Sequence, residues 1–279
     1  MKKIGFVEYY ISEWHANNYP CWMKEVCEKN GFDFEVSYVW AEEYVSPVDG
    51  KNTDEWCKEF GVAKCETIDE LCEKSDYIVI LAPSNPEKHL EYAKEVLKYK
   101  KTTYIDKTFA PNLKEAKEIF DVANEYGTKF FSTSALRYME GFEEMEGAKS
   151  VIVTAGGRTI DEYIVHQIEM AVTLLKEKPL AVKVEKQGSQ YISRVKFEND
   201  KWATLNYSSN FAYALSADLG DKTVYKAAGS MHFKRLMADI LNFFETGETS
   251  FDVSETLDVI KIRDGILNGV NNTDKWIAL

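Results

Sequence analysis

The sequence predicts an α/β chain: a doubly wound parallel sheet followed by an α+β domain on a mostly antiparallel sheet. Three observations predict it. Up to residue 133, short apolar runs alternate with segments of helical period, the pattern of parallel strands joined by crossover helices. Tyr77–Leu81 is a continuous apolar run, the mark of a strand buried on both faces. Beyond residue 180, strand patterns follow one another directly, as in an antiparallel sheet.

The elements follow in order. Lys3–Val7 is a short apolar strand, and Ala16–Lys29 a helix closed by Asn30-Gly31. Phe34–Trp40 alternates as a strand should, and Thr53–Phe60 is a short helix ending at Gly61. Thr67-Ile-Asp-Glu70 opens another helix with a capping box. After the Tyr77 strand, Asn85 is placed to cap a helix with Pro86 in its first turn, running to Tyr99. Thr102–Ile105 is a strand, Asn112 to Gly127 brackets a helix, and Phe130-Phe131 begins a sixth strand. In the second half Val151–Thr154 is a strand and Asp161–Lys176 an apolar helix. Strands at Ala181–Glu185, Tyr191–Phe197, Trp202–Tyr207 and Thr223–Ala227 come next, with Glu198-Asn-Asp200 as a hairpin turn. Helices at His232–Glu245 and Ser254–Asn268 complete the pattern. The domain boundary falls near Ser134, giving domains 1–133 and 134–279.

Composition narrows the function classes. The 279 residues carry a formal charge of −12 with no basic block, which argues against nucleic acid as a partner. The longest clean apolar run is far too short for a membrane helix, and Glu8 interrupts any secretory apolar segment, so a cytoplasmic location is expected. The five cysteines, Cys21, Cys27, Cys57, Cys65 and Cys72, are odd in number and form no CxxC; they read as reduced core residues. The four histidines are widely spaced, and no metal site is expected.

In an open parallel sheet, ligands bind beyond the carboxyl ends of the strands. This selects Glu8–His15, Trp40–Glu43, Ala82–Asn85 and Asp106–Thr108. A phosphate-binding loop in the first of these should be rich in glycine. Instead it reads Glu8, Tyr9, Tyr10, Ile11, Ser12, Glu13, Trp14, His15, which by itself argues against a nucleotide.

Other segments resemble the Gfo/Idh/MocA oxidoreductases, the family of glucose-fructose oxidoreductase and inositol dehydrogenase. The stretch Glu59 to Leu71 is similar to that family's helix, short strand and "eeLL" helix. Asp76–Pro83, followed by Asn85 and His89, resembles its "D-a-V-x-I-a-T-P" strand, and Tyr104–Thr108 stands where the family has "EKP". Arg137-Tyr138 looks like its "RY/RF" pair, and Glu162, His166 and Glu169 resemble its "D-x-x-x-H-x-x-D" helix.

The resemblance implies a Rossmann-type domain binding NAD or NADP, and hydride transfer to or from a small sugar or polyol. His166 would be the proton acceptor, Glu162, four residues earlier on the same helical face, would orient it, and Lys107 would hold the substrate oxygen. Tyr9, Tyr10, Trp14, His15, Ala82, Pro83, Asn85 and Lys107 would line the cofactor; Arg137 and Tyr138 would contact substrate. The family's habit and the aromatic strands of residues 191–207 imply a homodimer or homotetramer built through the second-domain sheet. Two rival functions share these residues. One is a catalytically silent ligand-binding or regulatory protein on the same fold, favoured by the missing glycines; the other uses NAD as a held catalyst in redox-neutral chemistry. Structural roles also compete at single positions: Arg137 as an ion-pair partner, Trp14 and His15 as packing, Glu169 as a brace.

Overall fold

The computed structural model describes residues 1–279. In chain order its elements are β1 (Lys2–Tyr10), α1 (Trp14–Asn30), β2 (Phe34–Glu43), α2 (Thr53–Phe60), β3 (Ala63–Lys64), α3 (Ile68–Lys74) and β4 (Tyr77–Ile80). Then come α4 (His89–Leu97), β5 (Thr103–Ile105), α5 (Leu113–Tyr126), β6 (Phe130–Phe131), β7 (Ser150–Ala155) and α6 (Ile160–Leu175). The remainder is β8 (Pro179–Gln187), β9 (Gln190–Phe197), β10 (Trp202–Tyr207), β11 (Ala214–Asp218), β12 (Thr223–Ala227), α7 (His232–Thr246), α8 (Glu255–Asn271) and β13 (Trp276–Ala278).

The chain divides into two compact units, Met1–Thr133 with Lys234–Val253, and Ser134–Phe233 with Ser254–Leu279. The first unit ends its first stretch at Thr133, and the second unit is not one continuous stretch of chain. Most of α7 belongs to the first unit, where Phe244 stacks on Tyr77 with ring centroids 4.8 Å apart and Phe243 meets Phe131 edge-on at 5.0 Å. A helix with apolar residues on one face goes wherever a complementary apolar surface is, and no linker signal marks the crossing.

In the first unit six parallel strands lie in the order β3-β2-β1-β4-β5-β6, the doubly wound arrangement. The strand order reverses between β1 and β4, where the crevice of such a sheet opens. Local chemistry explains the ends of the elements. Gly31 closes α1 at φ 74°, a left-handed conformation that glycine adopts without strain. Asn52 and Glu55 form a reciprocal capping box at the head of α2, and Asn112 caps α5 through Glu115 N at 2.9 Å. Asn85 does not cap α4 as the sequence suggested: a short 3-10 turn, Pro86–Lys88, precedes the helix, and the Asn85 amide donates to Glu87 instead.

The second unit has a seven-stranded sheet of order β12-β11-β7-β10-β9-β8-β13. Every pairing is antiparallel except β7 with β10. The inward residues Val151, Val153, Val182, Val184, Val195, Phe197, Ala203, Leu205 and Leu215 join Ile164, Ile168, Leu175, Ile262 and Ile266 of α6 and α8 in one core. Fully burying side chains of this kind contributes about 1.5–3 kcal/mol each. No strand is expected from the sequence at Ala214–Asp218 or Trp276–Ala278; the first lies between β12 and β7, the second forms a sheet edge on β8, and β7 and β8 are distant from them in the chain.

Candidate functional site

The candidate residues fall in both units. In the first they gather at the carboxyl ends of β1, β4 and β5. Strands β1 and β4 pair as far as Val7 and Ile80. Where they part, the Glu8 carboxylate takes over: its Oε1 accepts from Ala82 N at 2.8 Å and Tyr9 N at 2.7 Å. Glu8 is 1% exposed, and its other oxygen, Oε2, has no hydrogen-bond partner. Burial, with Glu13 nearby adding to it, pushes the Glu8 carboxyl well above the usual carboxylate range.

Glu13 is the N-cap of α1, accepting from His15 N at 2.8 Å and from Ala16 N. Burial raises its proton affinity as well, although the neighbouring His15 and the two backbone donors oppose the shift. His15 turns inward, its Nδ1 bonded to Asp106 Oδ2 and its ring stacked on Tyr19 with centroids 5.0 Å apart. Burial opposes ionisation of Asp106, but beside His15 and Lys107 its carboxyl is held below the ordinary value. His15 is therefore a partner of a buried carboxylate. Among residues 8–15, Tyr9 and Tyr10 are half-buried and Trp14 is 52% exposed, its ring edge-on to Trp22 at 5.5 Å.

Ala82 and Pro83 end β4, with Ala82 at φ 60° and buried. Lys107 follows β5; its Nζ donates to Pro83 O at 3.2 Å, and its own N–H donates to Asp106 Oδ1 at 2.8 Å. The Lys107–Thr108 peptide is cis. His89 was not assigned a role from the sequence. It is fully buried, with Nδ1 on Phe109 O at 3.0 Å and Nε2 on Leu81 O, so it braces the loops that carry Ala82 and Lys107. At the end of β2, Glu42 is drawn to Lys88 Nζ and to the Tyr92 hydroxyl, at 2.5 and 2.7 Å.

In the second unit His166 projects half-buried from α6, and its Nδ1 is bonded to Ser134 Oγ at 2.7 Å. The rings of Tyr163 and Tyr213 lie 5.8 and 5.9 Å from the imidazole. Glu162, expected to orient His166, receives Arg158 in an ion pair at 2.5 Å. The orienting group at Nδ1 is the Ser134 hydroxyl, which adjoins the RY motif and which no spacing rule connects to residue 166. Arg137 is 7% exposed and ion-paired with Glu169 at 2.7 Å and Glu255 at 2.8 Å, tying together its own turn, α6 and α8. Tyr138 beside it is half-buried.

Four of the five cysteines are buried; Cys21 is exposed, contrary to expectation. Burial pushes the Cys57 and Cys65 thiols up to about 11 and Cys72 to about 12, which makes them unreactive at neutral pH. No group of three or more His, Cys, Asp or Glu side chains is arranged to hold a metal. No helix is long and apolar enough to cross a membrane.

A doubly wound sheet of this order places its ligand crevice beyond the carboxyl ends of β1, β4 and β5, and it is followed in the chain by a mixed-sheet unit with a half-buried histidine on α6. Residues 43–134 match the model of the Gfo/Idh/MocA family, described as an oxidoreductase family with an NAD-binding Rossmann fold. The resemblance read from the sequence is borne out over that segment. Solved structures share the fold of the whole chain. Myo-inositol 2-dehydrogenase from Lactobacillus plantarum superposes with a TM-score of 0.79 at 12% identity, covering 100% of this chain and 99% of that one. Aldose-aldose oxidoreductase from Caulobacter crescentus, solved with glycerol, gives 0.74 at 12% identity, with coverage of 100% and 99%. GenD2 from gentamicin A biosynthesis, solved with NAD, gives 0.79 at 12% identity, with coverage of 100% and 97%. No curated protein sequence matches the chain.

The family match begins after β1 and α1, the segment where a dinucleotide's pyrophosphate rests in sheets of this order. That segment does not suit an anion as it stands, because the Glu13 carboxylate is already on the N–H groups at the head of α1. The ends of β4 and β5, with Ala82, Pro83 and Lys107, carry no such obstacle.

Proposed function

We propose that the protein is an NAD(P)-dependent oxidoreductase that moves a hydride between a nicotinamide and a sugar- or polyol-like substrate. The observation that carries this reading is the setting of His166: a half-buried imidazole, steered at Nδ1 by a neutral hydroxyl and flanked by two tyrosine rings. In the oxidising direction the imidazole accepts the proton of a substrate hydroxyl. Lys107, at the end of β5, is a donor suited to a substrate oxygen and a developing alkoxide. The nicotinamide, when bound, supplies the hydride acceptor. Tyr138 is a substrate contact in this reading, while Arg137 and Glu162 hold structure around it.

The family match, NAD-binding by description, supports the cofactor class, and the dehydrogenase folds support a small polyhydroxy substrate. The reading includes a cytoplasmic location, in keeping with five unpaired cysteines, and a homodimer or homotetramer formed through the second-domain sheet. The test is an assay at the nicotinamide absorbance band with NAD and NADP against a panel of polyols and aldoses. Turnover of any member supports the proposal. Cofactor binding without turnover of any member counts against it. One observation favours a second reading, the catalytically silent ligand-binding protein: the Glu13 carboxylate at the anion seat. Absence of dinucleotide binding at millimolar concentration would select it.

A further inference from the structure

Two carboxylates stand where the first unit should be open to an anion. In a doubly wound sheet, the first helix points its unsatisfied N–H groups at the crevice beside β1, and phosphates bind there because the helix dipole and the free donors favour negative charge. In this chain both conditions are already met from within. Glu13 reaches forward to His15 N and Ala16 N, two of the donors a pyrophosphate would use. Behind it Glu8, 1% exposed and with Oε2 unpartnered, fills the point where β1 and β4 part. Asp106 is the third buried carboxylate of the cluster, at 1% exposure, and His15 is the imidazole bonded to it. Glycine-rich loops leave this space empty; here it is filled by buried carboxyl side chains.

We propose that the Glu13 carboxylate is a built-in occupant of the anion seat at the head of α1, and that a dinucleotide pyrophosphate must displace it to bind. The inference rests on the oxidoreductase reading for the identity of the ligand, but the competition itself is a property of the first unit. Binding of cofactor and capping by Glu13 are mutually exclusive, because both use the N–H groups of residues 15 and 16. Glu13 lies on the short link between β1 and α1, so it can swing out without unpairing a strand. The chain thereby holds its cofactor more loosely than a glycine-loop protein would, and keeps the head of α1 satisfied when no cofactor is present.

The experiment compares the whole protein with its Glu13→Ser and Glu13→Gln variants. Serine remains a good N-cap without charge, so α1 keeps its first turn; glutamine keeps the size and the acceptor oxygen. Circular dichroism and melting confirm that each variant is folded. NADH and NADPH are titrated by nicotinamide fluorescence, and inorganic pyrophosphate by calorimetry. The expected result is cofactor affinity raised roughly tenfold or more in Glu13→Ser, the scale of removing a like charge from an anion's contact surface, with Glu13→Gln between it and the parent. Pyrophosphate should bind Glu13→Ser measurably and the parent not. Equal or weaker cofactor affinity in Glu13→Ser overturns the competition and leaves the oxidoreductase reading in place. Pyrophosphate binding gained by Glu13→Ser, with no cofactor binding in any form, upholds the seat and overturns the dinucleotide reading. No binding of either probe to any form overturns the inference.

Discussion

At the scale of single residues, the site is a set of groups whose neighbours decide their protonation. His166 should lose its function on replacement by alanine: turnover falls roughly 10²–10⁴-fold, the usual contribution of a positioned base, while cofactor affinity stays nearly unchanged. Ser134→Ala removes the hydrogen bond at Nδ1 and leaves the imidazole, so it should cost less, with the pH profile of turnover displaced; an unchanged profile would show that the hydroxyl does not steer the ring. Glu8 makes a prediction about stability. Its folded carboxyl holds the proton to higher pH than the unfolded chain does, chiefly through burial, so its contribution to stability is lost as pH rises from the ordinary carboxylate range toward the folded value. Glu8→Gln should therefore melt several degrees higher than the parent near pH 8, with the difference closing toward pH 4; a variant that melts lower at pH 8 contradicts the assignment. Lys107 and His166 stand out in the sequence because motif order marks them. The attachments of His15 to Asp106, Ser134 to His166 and Glu162 to Arg158 were not legible there, because hydrogen-bond partners are chosen by three-dimensional neighbours.

At the scale of elements, most helix ends are written in one or two residues. Thr53–Phe60 and the closures at Gly61 and Gly127 were legible because capping chemistry is local. Asn85 shows the limit: a capping residue followed by proline is a sound local signal, yet the chain makes a 3-10 turn there, and His89, which opens α4, is held by the Leu81 and Phe109 carbonyls. Gly5 is a glycine needed for space. A Cβ there would fall 2.7 Å from Leu71 Cδ2 and closer still to Ser75 Oγ, where α3 and its C-terminal residue pack against β1. Gly5→Ala should cost about 1–3 kcal/mol, read as a lower denaturant midpoint at unchanged slope. A midpoint equal to the parent's would mean that α3 moves aside freely.

At the scale of the whole molecule, the outward face of the second sheet carries the oligomer proposal. Ile152 on this face is 55% exposed, with Tyr225 and Trp276 at 64% and 50% on the two edge strands, β12 and β13. Ile152→Lys should shift the mass measured by light scattering from oligomer to monomer and leave the melting temperature of the protomer nearly unchanged; an oligomer that survives places the interface elsewhere. The sequence by itself determined the class of each half and the order of the strands of the first sheet along the chain. These follow from hydrophobic period, caps and short motifs, all of which act over a few residues. Only the tertiary structure decided that Lys234–Val253 returns to the first unit, that short segments 214–218 and 276–278 join the second sheet, and that Arg137 is tied to Glu169 and Glu255. It also decided that Glu8 and Glu13 turn inward upon the crevice and do not face solvent. Burial and pairing across a hundred residues depend on which surfaces meet, and a charged side chain reads the same in sequence whether it faces water or the head of a helix.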